Sequence, residues 1–302
     1  MAYPRNERKP KRPVTLHLSA RLLHCCDAAT HDITVRNGTP SVVGYNTYQT
    51  SNLRQPSFGA CFIPVGGGST YKLGELKPAD FDPDNDTIQI VNPTTLDTAA
   101  AYVYLSKEIA DAAAIDEGGA AGDYDELIGW WDYSIGVGED GAKADNVSIN
   151  VGTAFLGKFD SGNDIGFLSC GEAPAVSTSI STGGARQPFF ASYIPKIIKL
   201  GQIVADDFDP DNDTIQVVNP TTLDTDAAYV YLSKEIADAA AIDEGGAAGD
   251  YDELIGWWDY AIGVGEDGAK ADNVNVAPGA AFLGKFDSGN NITFNFPSSL
   301  AE

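Results

Sequence analysis

The chain has 302 residues and a formal net charge of −24, and 43% of its residues are hydrophobic, which is enough to form a core and excludes wholesale disorder. No apolar run approaches the roughly 18 residues that a membrane-spanning helix requires. The acidic balance repels phosphate groups, which disfavours a role in binding DNA or RNA and suits solubility, cation binding or a high-salt setting.

The first 40 residues form a basic leader that we expect to be flexible. An apolar stretch within it, PVTLHLSARLLHCCDA, is interrupted by histidine, serine and arginine, so it is a poor secretory signal. Three interpretations stay open: a disordered arm, a lenient export signal, or sequence translated upstream of the true start. Zinc binding by the leader is disfavoured because the adjacent Cys25 and Cys26 have poor chelate geometry.

Two nearly identical segments organise the rest of the chain. DFDPDNDTIQIVNPTTLDT begins at Asp80 and DFDPDNDTIQVVNPTTLDT begins at Asp207, an offset of 127, and 72 of 80 aligned residues are identical. A weaker similarity aligns RQPSFGACFIPV at Arg54 with RQPFFASYIPKI at Arg186, at an offset of 132. A short segment rich in small residues, SCGEAPA, separates the copies. The repeat therefore predicts two modules, residues 41–168 and residues 174–298.

Short apolar segments alternate with clusters of Gly, Pro, Asn and Asp in each copy, a spacing typical of antiparallel sandwiches and barrels. One helix is predicted in each copy: Ser106 as N-cap and Gly118 at the end of the first, and Ser233 to Gly245 for the second. The predicted fold class is mainly β, with two tandem antiparallel β-sandwich or barrel-like modules, each with one short helix, after the basic leader. The strands predicted in the first copy are FGACFIPV, YKLGEL, TIQIVNP, AYVYL, IGWWDYSIGVG, NVSINVG, AFLGKF and NDIGFL.

Alternating aspartates open each copy and are candidate calcium ligands. Ca²⁺ takes six to eight oxygen ligands, and acids on a tight turn can converge on it. The EF-hand pattern fails, however, because Pro93 stands where its bidentate Glu belongs. A solvated acidic loop is the simpler interpretation. The candidate ligands are Asp80, Asp82, Asp84 and Asp86, with Asp207, Asp209, Asp211 and Asp213 in the second copy.

The motif WWDY occurs once in each copy and carries all four Trp of the chain. Neighbouring side chains of a strand point to opposite faces, so we expect one Trp in the core and the other exposed. An exposed Trp beside Asp and Tyr suits sugar stacking, whereas core or interface packing is the simpler interpretation. The candidate ligand or interface residues are Trp130, Trp131, Asp132 and Tyr133, with Trp257, Trp258, Asp259 and Tyr260 in the second copy.

Residues suited to catalysis are poorly placed. The three His all lie in the leader, so neither module contains a Ser–His or Cys–His dyad. Carboxylate pairs such as Asp125 with Glu126 lie in hydrophilic, Gly-rich stretches, whereas hydrolysis by two acids requires one of them to be buried. Cys61 and Cys170 form a disulfide only if the chain is exported, and two unpaired strand cysteines is the simpler interpretation.

A polar strand rich in Gly, Tyr and Thr, a strand ending in a V/I-P step, a Trp and a late P-G-x-A-F element follow one another along the chain. This order resembles secreted or envelope-associated bacterial tandem β-repeat proteins, whose modules open with a G-x-N-L-I-x-V-P-type strand and close with a P-G-x-G/A-F/Y-W-type strand. The counterparts are VVGYNTYQT with FGACFIPV, then INVGTAFLGKF at Ile149 and VAPGAAFLGKF at Val276. Leu156 and Leu283 depart from the pattern, standing where that class usually has an aromatic residue. The resemblance implies a surface or extracellular role without assigned catalytic residues.

We therefore expect a non-enzymatic, extracellular or cell-surface structural or adhesive repeat protein that self-assembles through β edges. The expected partners are further copies of the chain, or a surface polymer or glycan. The alternative is a two-site carbohydrate- or calcium-binding module protein. No cofactor is expected, apart from calcium in this alternative.

Overall fold

The computed structural model describes residues 43–50, 54–55, 57–59, 68–91, 98–138, 140–173, 177–218, 225–265 and 267–298. These described residues belong to one compact unit. The predictions for the leader and for Cys61 lie outside the described residues. We refer below to residues 43–173 as the first half and to residues 177–298 as the second half.

The first half contains ten strands and one α-helix among its described residues. Two short 3₁₀ helices, Leu73–Glu75 and Asp125–Leu127, interrupt the strands. The strands are β1 (Val43–Gln49), β2 (Ser57–Gly59), β3 (Thr70–Lys72), β4 (Lys77–Ala79), β5 (Asp86–Val91), β6 (Thr98–Leu105), β7 (Gly129–Asp132), β8 (Ser148–Asn150), β9 (Ala154–Phe159) and β10 (Gly166–Glu172), and the helix is α1 (Lys107–Asp116).

The described residues of the second half repeat this order element by element. Its 3₁₀ helices are Leu200–Gln202 and Asp252–Leu254. The strands are β11 (Thr178–Ser181), β12 (Phe189–Ala191), β13 (Ile198–Lys199), β14 (Val204–Asp206), β15 (Asp213–Val218), β16 (Thr225–Leu232), β17 (Gly256–Asp259), β18 (Asn275–Val276), β19 (Ala281–Phe286) and β20 (Thr293–Phe296), and the helix is α2 (Lys234–Asp243).

Each half builds the same three antiparallel sheets. In the first half, five strands run in the order β2-β9-β5-β6-β7, three run β1-β10-β4, and β3 pairs with β8. The second half has the orders β12-β19-β15-β16-β17, β11-β20-β14 and β13-β18. Every described sheet draws its strands from one half only. The prediction of a mainly β, antiparallel fold with two short helices is confirmed.

Aromatic side chains from the five-stranded and three-stranded sheets meet in the core of each half. The ring centroids of Phe58 on β2 and Phe167 on β10 lie 4.5 Å apart. In the second half Phe190 on β12 and Phe294 on β20 are 4.9 Å apart. The sheets therefore form two layers, and aromatic packing between the layers fills the space that separates them.

The predicted helices are present where their caps place them. The Ser106 hydroxyl accepts a hydrogen bond from the Ile109 N–H at 3.3 Å, which satisfies one of the free N–H groups of the first turn. Beyond the C-terminus, Gly118 has φ +88°, a conformation that L residues with a side chain rarely adopt. The small residues Ala110 and Ala114 are the buried residues of the helix. Neither α1 nor α2 has the length and apolar character to cross a membrane within the described part of the chain.

Two segments predicted as single strands are broken in the structure. YKLGEL turns through the 3₁₀ helix Leu73–Glu75, because the Lys72 N–H donates to Glu75 Oε1 at 3.1 Å and closes the turn. IGWWDYSIGVG is a strand only as far as Asp132, whose Oδ1 accepts from the Ser134 N–H at 2.9 Å and directs the chain into a turn.

Candidate functional site

The aspartates of the first copy form a tight turn before β5, and this turn uses its own carboxylates as hydrogen-bond acceptors. Asp82 Oδ1 accepts from the Asp84 N–H at 3.0 Å, and Asp82 Oδ2 accepts from Asn85 Nδ2 at 2.8 Å. The exposed Asp80 has φ +60°, at the point where the chain leaves β4. Asp84 is exposed, and its N–H is the donor to Asp82.

Asp86 is fully buried and joins this turn to a distant segment. Its Oδ2 accepts from the Asp82 N–H at 2.9 Å, and its Oδ1 accepts from the Ser161 N–H at 3.0 Å, 75 residues away. The second copy repeats the arrangement through Asp207, Asp209, Asp211 and Asp213, with an added bond from Ser288 Oγ to Asp213 Oδ2 at 2.8 Å. The run of acids that suggested calcium ligands therefore stabilises a turn.

A shallow, solvent-open depression of about 450 Å³ lies beside this turn in the first half. Asn163 Nδ2 donates to the Asp80 carbonyl at 2.9 Å and forms part of its wall. Within the described residues, no three His, Cys, Asp or Glu side chains are grouped closely enough to hold a metal ion. Polar side chains that line the depression are Asp80, Asp82, Ser106, Glu108 and Asn163.

Both tryptophans of each WWDY motif are buried, so the expectation of one exposed indole is wrong. Trp130 is 0% exposed and donates from Nε1 to the Leu76 carbonyl at 2.7 Å. Trp131 is 5% exposed and donates from Nε1 to the Leu127 carbonyl at 2.8 Å. The segment that ends the 3₁₀ helix Asp125–Leu127 folds back beside Trp131, and Lys143 Nζ lies 5.7 Å from the centroid of its ring.

The second copy is built in the same way. Trp257 donates to the Ile203 carbonyl at 2.7 Å and Trp258 to the Leu254 carbonyl at 2.8 Å. Lys270 Nζ lies 5.6 Å from the centroid of the Trp258 ring. The four indoles are therefore packed in the interior of the two halves, and none has an exposed ring face on which a sugar ring could stack.

The strand that carries these tryptophans begins at a glycine that the fold requires. Gly129 has φ +131°, and a Cβ there would lie 2.5 Å from Asp145 Oδ2. That carboxylate is held in place because its Oδ1 accepts from the Trp130 N–H at 2.8 Å. Gly256 and Asp272 repeat the contact in the second half.

The remaining two residues of the motif lead into an exposed apolar turn that the sequence analysis did not identify. Asp132 is half-buried and Asp259 likewise, and each caps the turn through its Oδ1. We call residues 133–137 and 260–264 the apolar loops. Their signal in the sequence is the alternation of Tyr, Ile and Val with small residues after WWD. The exposed side chains, with their exposed fractions, are Tyr133 57%, Ile135 58%, Val137 41%, Tyr260 57%, Ile262 59% and Val264 41%.

Two exposed carboxylates near the helix accept hydrogen bonds from neighbouring side chains. Asp125 Oδ1 accepts from Lys107 Nζ at 2.7 Å, and this hydrogen bond raises the pKa of Lys107. Glu117 Oε2 accepts from the Tyr124 hydroxyl at 2.6 Å, which raises the pKa of Tyr124. Asp125 and its neighbour Glu126 are both exposed, an environment unlike the buried acid of a glycosidase pair.

Comparison with protein-family models finds no family that matches this chain. Comparison with curated proteins and with solved structures likewise finds no match. The resemblance to bacterial tandem β-repeat proteins therefore stays a prediction from the sequence.

Proposed function

We propose that this protein is a non-enzymatic structural or adhesive repeat protein of the cell surface or extracellular space, and that it self-associates. One observation carries the proposal. The chain, whose formal net charge is −24, presents the same exposed apolar loop once in each half. A soluble protein that repeats an exposed apolar tip has a contact to make there, and two linked contacts raise the effective concentration of the second.

In this proposal the two halves are tandem β-sandwich modules. Their main apolar cores are distinct, because the first groups residues between Phe58 and Phe167 and the second groups residues between Phe190 and Phe296. A third, smaller cluster contains residues of both halves. Distinct main cores and sheets that are confined to one half support a unit that was copied once. Residues 80–159 and 207–286 carry net charges of −13 and −14, so each module also has its own repulsive surface.

The packing restricts how β edges contribute to assembly. The outer edge of β7 is covered, because the Asp132 N–H donates to the Ala142 carbonyl at 2.9 Å and the Ala144 N–H donates to the Trp130 carbonyl at 2.7 Å. At the other end of the same sheet, β2 contacts β12 of the second half. We therefore assign assembly to the apolar loops in place of the five-stranded sheet edges that the sequence suggested.

The test compares two matched double variants. Ile135→Ser with Ile262→Ser removes the most exposed aliphatic side chain of each apolar loop. Ile115→Ser with Ile242→Ser removes side chains that are 56% and 57% exposed at the ends of the helices. Analytical ultracentrifugation over a range of protein and salt concentrations is expected to show assemblies in wild type and in the helix variant, and loss of them in the loop variant.

Two results would count against the proposal. A wild-type chain that stays monomeric at all concentrations removes self-association. Equal loss of assembly in both double variants shows that the apolar loops have no particular role. High salt screens repulsion between the acidic surfaces, so assembly is expected to increase with ionic strength.

The second candidate function is a two-site carbohydrate binder, and the exposed Tyr133 and Tyr260 are the observation that favours it. Each ring follows a half-buried aspartate, a pairing that suits a sugar hydroxyl and a sugar face. Titration with a glycan panel, followed by calorimetry, is expected to give heat in wild type and none in Tyr133→Ser/Tyr260→Ser. Equal silence in both removes this candidate. A calcium titration followed in the same way tests the acidic turns.

A further inference from the structure

The two halves meet along a seam formed by the terminal strands β2 and β12 of their five-stranded sheets. The Gly59 N–H donates to the Gly279 carbonyl at 3.0 Å, and the Ala191 N–H donates to the Gly152 carbonyl at 2.8 Å. In the repeat, Gly152 aligns with Gly279 and Gly59 aligns with Ala191. The two hydrogen bonds therefore join equivalent positions, one with its donor in the first half and the other with its donor in the second half.

The contacts between strands follow the same symmetry. Strand β12 contacts β9, and β2 contacts β19, which is the equivalent pair. At the centre, Gly59 faces its own counterpart, since a Cβ on Gly59 would lie 2.2 Å from the Cβ of Ala191. A residue that opposes its own equivalent marks a two-fold axis.

Small apolar residues line the seam beside this axis. Ala154 and Ala281, which are equivalent, are both fully buried. They form one cluster with Ala191 and Val218, against which Leu283 packs. The close approach of two backbones explains why the residues are small, and the two hydrogen bonds show that the contact is a formed interface.

We propose that this seam is an isologous dimer interface whose two sides are carried on one chain, and that a separated first half pairs through it either with a second half or with another first half. The axis admits one methyl group. Gly opposite Ala fits, as the structure shows, and Gly opposite Gly also fits. Ala opposite Ala places two Cβ atoms in the space of one, so two second halves do not pair.

The experiment uses the full chain with a specific protease site placed between Ala173 and Ser177. After cleavage under native conditions, native mass spectrometry measures which fragments stay together. We expect first-half and second-half fragments to remain associated. Pairs of two first halves are also expected after dilution and reconcentration, and pairs of two second halves are not. Immediate separation of the fragments would overturn the proposal.

Three variants test the axis itself. Gly59→Ala adds the second methyl group and is expected to weaken association of the fragments about tenfold or more. The swapped variant, Gly59→Ala with Ala191→Gly, again has one methyl group at the axis and is expected to restore association to near the wild-type value. Ala191→Gly alone is expected to allow pairs of two second halves.

The swapped variant makes the outcome decisive. Association as weak as in Gly59→Ala alone, or weaker, shows that the two positions do not oppose each other across an axis. Pairs of second halves in the wild-type protein refute the selection by the methyl group. The unfolding temperature of each uncleaved chain is measured in parallel, so that a variant that fails to fold is recognised and the swapped chain provides the comparison.

Discussion

Asp86 is a buried carboxylate that holds the acidic turn to the segment after β9, and its replacement by alanine tests whether these acids are structural. The substitution leaves two backbone N–H groups, those of Asp82 and Ser161, without their acceptor. Each unsatisfied donor costs about 1–3 kcal/mol, and both lie in partly buried positions that water reaches to some extent. We therefore expect the free energy of unfolding to fall by about 2–4 kcal/mol.

Urea unfolding followed by Trp fluorescence measures this change, since all four indoles are buried in the folded chain. With a slope near 2 kcal/mol per molar urea, the midpoint is expected to fall by roughly 1–2 M. Asp86→Asn is expected to recover little of the loss, because it keeps one acceptor oxygen but places an NH₂ group against the other N–H.

Asp84→Ala is the matched control, because it removes one acid from an exposed position of the same turn. Its expected effect is within about 0.5 kcal/mol. If Asp86→Ala were as harmless as Asp84→Ala, the hydrogen bonds at Asp86 would not stabilise the turn, and the structural role of this carboxylate would be refuted.

Three further predictions concern a helix cap and two titrating groups. Ser106→Ala together with Ser233→Ala removes both N-caps and is expected to cost about 1 kcal/mol per helix, measured by urea unfolding followed by circular dichroism; no loss in either would show that the caps do not act. Burial raises the pKa of Tyr193 to about 12, so its neutral form contributes stability that is complete below pH 10.0 and is lost as the pH rises toward 12. Ultraviolet titration is expected to show one tyrosine of wild type that ionises at this high pH and is missing in Tyr193→Phe. The hydrogen bond from Arg54 lowers the pKa of Asp160, so this pair stabilises the chain at neutral pH and ceases to do so as the pH falls through the lowered pKa. Arg54→Gln is expected to return the pKa of Asp160, followed by NMR, toward its ordinary range. An unchanged titration curve would contradict the pairing.

The features that follow from local sequence were predictable. The helix begins after Ser106 and ends before Gly118, because a hydroxyl N-cap and a glycine beyond the C-terminus act within a few residues of the chain. The apolar segments AFLGKF and TIQIVNP correspond to β9 and β5, because alternation of buried and exposed side chains is a property of the strand itself.

The features that depend on distant residues were not predictable. Alternation in a strand places the side chains of Trp130 and Trp131 on opposite faces of the sheet. Whether Trp131 is exposed, however, depends on the 3₁₀ helix Asp125–Leu127 that folds beside it. The acids from Asp80 to Asp86 have ligand-like spacing, and their structural role becomes visible only with Ser161, 75 residues away. The seam could not be predicted from the repeat, because the sequence does not show how the two copies are positioned relative to each other.

The confinement of each sheet to one half has a consequence for how the chain reaches its native state. Strands β9 and β19 have the same sequence, AFLGKF, and β5 and β15 differ at one position. The side-chain contacts that β5 makes with β9 would therefore be nearly the same as those it would make with β19. The shorter loop between β5 and β9 is what favours the native pairing. During synthesis from the N-terminus, the first half is complete before the second half emerges. In refolding from denaturant both halves are present from the start, so strands of one half can pair with the equivalent strands of the other.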